Sequence, residues 1–345
     1  MLTVDRKKLI LAGNKALFYT VTLSPKMTCE SATYIGHRLG TIVAPLRSIG
    51  KLMLVCENDK SDSCKLRILN STPKGTWLAE LTSTDDPVRV DGSVNEMPVL
   101  RNNKLFVTSS GERITVFSVT DDDQQPEASK TAQQFLNELA AYTDKSSYKG
   151  PIYLVAGPNN QIWMATNRLR KFQLKPRTVQ PETDETAKGR ATQPPQIDGK
   201  YFYLGREFNF STGINFTRTN REIMKGEWQL NLGGSILSWS SEEGTPVVCI
   251  NENGQIFRID RNELSRSGFK LDLSSPALVP KPTAPFRAFS LGGGNIGVTV
   301  TVKEETKIWV INSDAQEVQS NTYSGEMQTD PVLLQNGVIL PLPGR

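Results

Sequence analysis

Leu232–Asp260, LGGSILSWSSEEGTPVVCINENGQIFRID, reads as three short strands in a row. Side-chain spacing sets them at Ser235–Ser240, Thr245–Asn251 and Gln255–Asp260, parted by Ser-Glu-Glu-Gly and by Glu-Asn-Gly. Asn253-Gly254 tolerates the positive φ that a tight, twisted hairpin needs. Such a unit is most of one small antiparallel sheet, and a lone sheet of that size cannot bury its apolar faces. The fold is therefore decided by whether the unit recurs.

It recurs along the whole chain. Lys7–Asn14 and Ala16–Leu23 form a first pair of β-rich segments. Gly40, Gly92, Gly150 and Gly234 each open a comparable unit, which passes through a Pro or a turn into strands such as Lys51–Val55, Asn103–Val107 and Gln161–Ala165. A less regular unit holds Lys200–Leu204 and Gly213–Thr217, a sixth holds Gly294–Val302 and Thr306–Ile311, and an incomplete one runs from Gly325 to Leu340. A period of about 40 to 50 residues with three or four strands per unit is the pattern of an all-β propeller of four-stranded antiparallel blades. Joining the partial units at the two chain ends gives seven blades, the preferred count; a true first strand at Leu2–Val4 would make part of an eighth. The reading is one β-propeller domain over residues 1–345, conceivable as a piece of a longer protein. Ala132, Phe135, Leu136, Leu139 and Ala140 fall at helical spacing, predicting a short inserted helix at about 128–144. Residues 175–193, polar and without aromatics, predict a mobile loop.

Composition excludes little. Forty basic residues against 36 acidic ones give a net charge of +4, too small to argue for nucleic acid or a membrane surface. No apolar run approaches the ~20 residues of a membrane-spanning helix, and the four or so apolar residues after Lys7-Lys8 fall short of a signal-peptide core. Cys29, Cys56, Cys64 and Cys249 lack C-x-x-C spacing. Cys56 and Cys64 flank a hairpin loop, where either a disulfide or two buried thiols fit; the thiols are favoured.

Two segments share K-G-x-W-x-x-x-L: Lys74-Gly75-Thr76-Trp77 to Leu81 and Lys225-Gly226-Glu227-Trp228 to Leu232, with Ser267-Gly268-Phe269 as a degraded copy. The Gly makes a turn, and Trp77, Trp228 and Phe269 are expected to fill the gap between neighbouring blades. This resembles the repeat of quinoprotein-type propellers. That family holds alcohol and sugar dehydrogenases using pyrroloquinoline quinone and calcium, and non-catalytic members such as the propeller lipoprotein of bacterial outer-membrane barrel assembly. The dehydrogenase features the resemblance brings, adjacent cysteines, a catalytic His and an acidic base with calcium ligands, have no residue-by-residue match here. The resemblance thus implies the non-catalytic branch, no cofactor, and a location compatible with a bacterial cell envelope.

Each candidate site has a bland alternative. His37, the one histidine, reads as a partly exposed turn residue. Gly292-Gly293-Gly294 precedes a strand and not a helix, so it reads as a turn and not a phosphate cradle. Asp121-Asp122-Asp123 lacks the rest of a calcium loop. Arg168, Arg170, Lys171, Lys175 and Arg177 form a basic cluster that either binds an acidic partner or is a solvated face, with Glu182, Asp184 and Glu185 close by. Phe208, Phe210 and Phe216 surround a turn, and exposed there they would make a binding patch. No catalytic, cofactor or metal residues are assigned. The function expected is a scaffold that binds a protein or peptide through blade-top loops; the alternatives are a quinone-dependent dehydrogenase and a carbohydrate-binding or carbohydrate-processing propeller.

Overall fold

The computed structural model describes residues 8–13, 17–23, 26–50, 52–59, 62–70, 79–80, 87–120, 135–144, 146–185, 189–208, 214–234, 236–240, 245–260, 286–327, 331–334, 337–340 and 342. The chain is an all-β, seven-bladed propeller of antiparallel sheets. Its contacts group into two compact units, Met1–Pro194 and Pro195–Arg345.

In the first unit, β1 (Lys8–Ala12), β2 (Phe18–Thr22) and β3 (Thr28–Thr33) form a meander. The next sheet orders β4 (Arg47–Ile49), β5 (Leu52–Asp59) and β6 (Ser63–Asn70), and its outer strand comes in two pieces, β7 (Ala79–Glu80) and β8 (Val88–Asp91), both paired with β6. A third sheet holds β9 (Val99–Arg101), β10 (Lys104–Ser109), β11 (Arg113–Val119) and β12 (Leu136–Thr143). The fourth holds β13 (Tyr153–Ala156), β14 (Gln161–Ala165), β15 (Leu169–Lys175) and β16 (Thr178–Asp184), followed by the short β17 (Arg190–Ala191).

The second unit begins with β18 (Gln196–Asp198), β19 (Tyr201–Glu207), β20 (Ile214–Asn220) and β21 (Lys225–Asn231). Then come β22 (Ile236–Ser240), β23 (Val247–Asn251) and β24 (Ile256–Ile259), the three strands read from Leu232–Asp260. A four-stranded sheet of β25 (Phe286–Gly292), β26 (Asn295–Val302), β27 (Glu305–Ile311) and β28 (Glu317–Ser324) precedes the hairpin β29 (Val332–Leu334) and β30 (Gly337–Ile339).

Why the middle strands are apolar throughout, not alternating, follows from their two faces. On β5, Leu52, Leu54 and Cys56 pack toward β10 and β11, while Met53 and Val55 pack toward Ile10 and Phe18 of the preceding sheet. On β23, Val247 and Cys249 join one core and Val248 and Ile250 the next. Each side chain points opposite to its neighbour, so a strand between two sheets needs both parities apolar. At roughly 25 cal/mol per Å² of apolar area removed from water, this stacking is what holds one sheet to the next.

Two expectations are corrected. The helix expected at about 128–144 does not extend through its second half: among the described residues Phe135 is helical, Leu136–Thr143 is the outer strand β12, paired with β11 across a bulge at Val116/Phe117, and residues 128–134 lie outside the described residues. Within β12 only Leu136 and Ala140 are deeply buried, a four-residue spacing that mimics a helix because the bulge breaks strict alternation. The loop at 175–193 is also largely strand: Thr178–Asp184 pairs with β15, leaving a turn at 176–177. An outer strand faces water, so β16 is polar and exposed except at Val179.

Candidate functional site

Strand order fixes which loops can meet. In each four-stranded antiparallel sheet, the loop joining second strand to third and the segment leading from the fourth strand to the next sheet leave from the same end. In the first unit the described residues at that end include Gly13 and Leu17, residues 34–46, Asp62, Gly92–Pro98, Ser110–Glu112, 146–152 and 166–168. Described residues among them line two clefts. One, of about 440 Å³, is lined by Val43, Ser93, Asn95, Glu96, Ser110 and Tyr148, among others; the second, of about 320 Å³, has Gly13, Phe18, His37, Leu39, Gly40 and Ile42 around it.

Asn58, at the end of β5, binds the loops together. Its backbone N–H donates to the Thr41 carbonyl at 2.8 Å, its side-chain oxygen accepts from the Val94 N–H at 2.8 Å, and its amide donates to the Val94 carbonyl at 3.0 Å. Ser110 repeats the device, its N–H donating to the Ser93 carbonyl and its hydroxyl accepting from the Ser93 N–H. Gly92 stands beside this latch at φ 84°, and a Cβ there would meet the Ser110 hydroxyl at 2.7 Å. Arg67, buried and paired with Glu57 at 3.0 Å, donates to the Ile35 carbonyl and anchors the start of the 34–46 segment. The loops are thus held by hydrogen bonds that leave their apolar side chains outside.

Those side chains are conspicuous. Leu39 is 69% exposed, Tyr34 60% and Val43 59%, and Met97 projects from the neighbouring loop. Single exposed apolar residues need no explanation, but these lie on two latched loops beside two clefts. The sequence carried one signal for them: Tyr34, Leu39 and Val43 scattered around Gly36 and Gly40, with neither strand nor helix periodicity. His37 is corrected from a partly exposed turn residue to a buried one. Its ring packs edge-on against Phe18 at 5.5 Å and lies 5.7 Å from Tyr34, and burial lowers its pKa.

The residues singled out from sequence fall elsewhere. Arg170 is buried, bridging Glu112 at 2.8 Å and Asp144 at 2.6 Å. Arg168 pairs with Asp144 and Asp184, and Lys171 with Glu182. Arg168 and Arg170 share Asp144 while Lys171 faces the other way, and acidic neighbours answer each, so the three do not present one unneutralised patch. Phe216 is fully buried opposite Gly205, in a cluster with Tyr203, Trp228 and Trp239 at centroid distances of 5.3 to 6.0 Å, so it is core and not a binding patch. Phe208 is half-buried, and Phe210 lies outside the described residues. Trp228 sits within β21 and packs into the core that holds Ile236 and Trp239 of the following sheet. The turn lies before Lys225-Gly226, at 221–224, where Met224 takes φ 53°. Trp77, Phe269 and Asp121–Asp123 lie outside the described residues.

Chemically reactive groups are muted. All four cysteines are free; Cys56 and Cys64 sit two residues out of register across the β5–β6 hairpin, and the Cys64 thiol together with burial pushes the Cys56 thiol up. Burial alone pushes Cys249 up. Among the described residues no group of three or more His, Cys, Asp or Glu side chains is placed to hold a metal, and no helix is long and apolar enough to cross a membrane.

No protein-family model and no curated protein matches the chain. Solved structures are similar to it at low identity. BamB from Moraxella catarrhalis shares 11% identity at a TM-score of 0.62, over 98% of this chain and 91% of that one. Sqt1 of Saccharomyces cerevisiae shares 11% at 0.58, over 92% and 82%. The dihydro-heme d1 dehydrogenase NirN, in complex with DHE, shares 11% at 0.59, over 94% and 67%. At such identities the likeness establishes the fold, a β-propeller, and leaves function to the chain's own residues.

Proposed function

We propose that the chain is a non-catalytic propeller scaffold that binds a protein or peptide through the latched loops of its first unit. The observation that carries this is the exposure of Tyr34, Leu39, Val43 and Met97 on loops fixed by Asn58 and Ser110. Apolar side chains on a pre-ordered support lose little conformational freedom on binding, which favours association. The two clefts beside them offer pockets for a partner's side chains.

The test compares the wild-type chain with the double variant Leu39→Asp, Val43→Asp as bait in a lysate of the source organism. A polypeptide retained by the wild type and reduced about tenfold or more on the variant, with melting unchanged, is the expected result. An identical set of retained proteins on both baits contradicts the reading.

A further inference from the structure

Glu96 stands apart from the other acidic residues around these loops. It lies on the segment leading from β8 to β9 and lines the 440 Å³ cleft, half-buried. Asp62, on the adjoining loop, accepts from the Ser110 hydroxyl at 3.1 Å and faces Arg113 at 3.8 Å. Asp144 and Glu112 share Arg170. Among the described residues no ion pair and no side-chain hydrogen bond reaches Glu96. Lys149 also lines the cleft, yet it is exposed and forms no ion pair with Glu96. A carboxylate taken partly out of water with no counter-ion loses hydration without compensation, and burial accordingly holds the Glu96 carboxyl above its ordinary range.

The rest of the wall suits the group that would compensate it. Val43, Ile152 and Pro151 supply apolar contact, and Ser93, Ser109 and Ser110 line the same cleft, the Ser109 hydroxyl donating to the Asp91 carbonyl and that of Ser110 to Asp62. The Tyr148 hydroxyl already donates to the Pro151 carbonyl, and that of Tyr153 to the Thr192 carbonyl, so neither competes for the carboxylate. A long aliphatic stem ending in a cation matches this order of apolar wall and buried negative charge.

We propose that the cleft between Val43, Glu96 and Ile152 receives a lysine or arginine side chain of the partner polypeptide, with Glu96 as its counter-ion and the exposed Leu39 and Val43 meeting the partner's apolar residues beside it. This rests on the protein-binding reading above and names the chemistry that reading would recognise.

The experiment is selection of a random twelve-residue peptide display library on the intact chain, on Glu96→Gln, on Glu96→Lys and on Leu39→Asp with Val43→Asp. The expected result is enrichment of Lys or Arg beside an apolar residue on the wild type, about tenfold or more weaker binding of the selected peptides to Glu96→Gln, and a turn toward Asp and Glu on Glu96→Lys. Peptides selected without Lys or Arg, yet lost on Leu39→Asp with Val43→Asp, overturn the role of Glu96 and keep the protein-binding reading. Absence of any selected peptide, or peptides that bind all four proteins alike, overturns both. Thermal melts of the four proteins separate lost binding from lost folding, and the opposed charge preference of Glu96→Lys is an outcome misfolding cannot produce.

Discussion

Arg170 shows what a single residue costs and returns in this fold. It is 2% exposed, and its guanidinium is answered by Glu112, itself 1% exposed, by Asp144 and by the Tyr142 hydroxyl at 3.3 Å. The Glu112 carboxylate also accepts from Thr166, so the group closes on itself across the third and fourth sheets. Removing one member leaves a buried charge without its partner, which typically costs about 3 to 5 kcal/mol. Arg170→Met is therefore expected to lower stability by that order in urea unfolding, and Arg170→Met with Glu112→Leu by clearly less than the single change. A single variant within about 1 kcal/mol of wild type would contradict the description. In the sequence Arg168, Arg170 and Lys171 look like one basic patch. Arg168 and Arg170 share Asp144 from the third sheet, while Arg168 and Lys171 also pair with Asp184 and Glu182 of the adjoining strand β16, pairings that no local spacing encodes.

At the scale of elements, the turns carry information that strands do not. Asn251-Glu-Asn-Gly-Gln255 and Asn312-Ser-Asp-Ala-Gln316 are the same turn. In each the first Asn takes the last Gln carbonyl with its N–H, and its side-chain oxygen accepts from the N–H groups two and four residues on. The fourth position is left-handed in both, Gly254 at φ 75° and Ala315 at φ 60°. Alanine is strained there by about 1 to 2 kcal/mol, offset in part by the greater freedom of glycine in the unfolded chain. Ala315→Gly is thus expected to raise stability by about 0.5 to 1 kcal/mol and Gly254→Ala to lower it by a similar amount, both read from chemical unfolding. The opposite signs would mean the two turns are not equivalent. The turn at 251–255 was legible because Asn-Gly and the flanking apolar runs speak locally, whereas Asn312–Gln316, with Ala at the left-handed position, carries no such signal. The outer strands β12 and β16 were not, since a strand packed on one side only loses the two-faced apolar signature, and a bulge shifts what alternation remains.

For the whole molecule, the repeat was enough to read the propeller, because every middle strand must satisfy a neighbour on each side. The candidate site was not legible for the same reason: it lies in the segments between repeats, where residues 34–46 obey no period and are placed by Asn58 and Arg67 from the sheet below. The aromatics that drew attention in the sequence, Phe216 and Trp228, belong instead to the core shared by adjacent sheets. If one end of the first unit meets another polypeptide, a photo-crosslinking amino acid at Val43 will report it directly, with Arg177, an exposed residue in the turn between β15 and β16 at the other end of its sheet, as the comparison. Irradiation of cells carrying each protein is expected to yield a discrete crosslinked species from position 43 and none from position 177. Crosslinks equal from both positions, or from 177 alone, would contradict it.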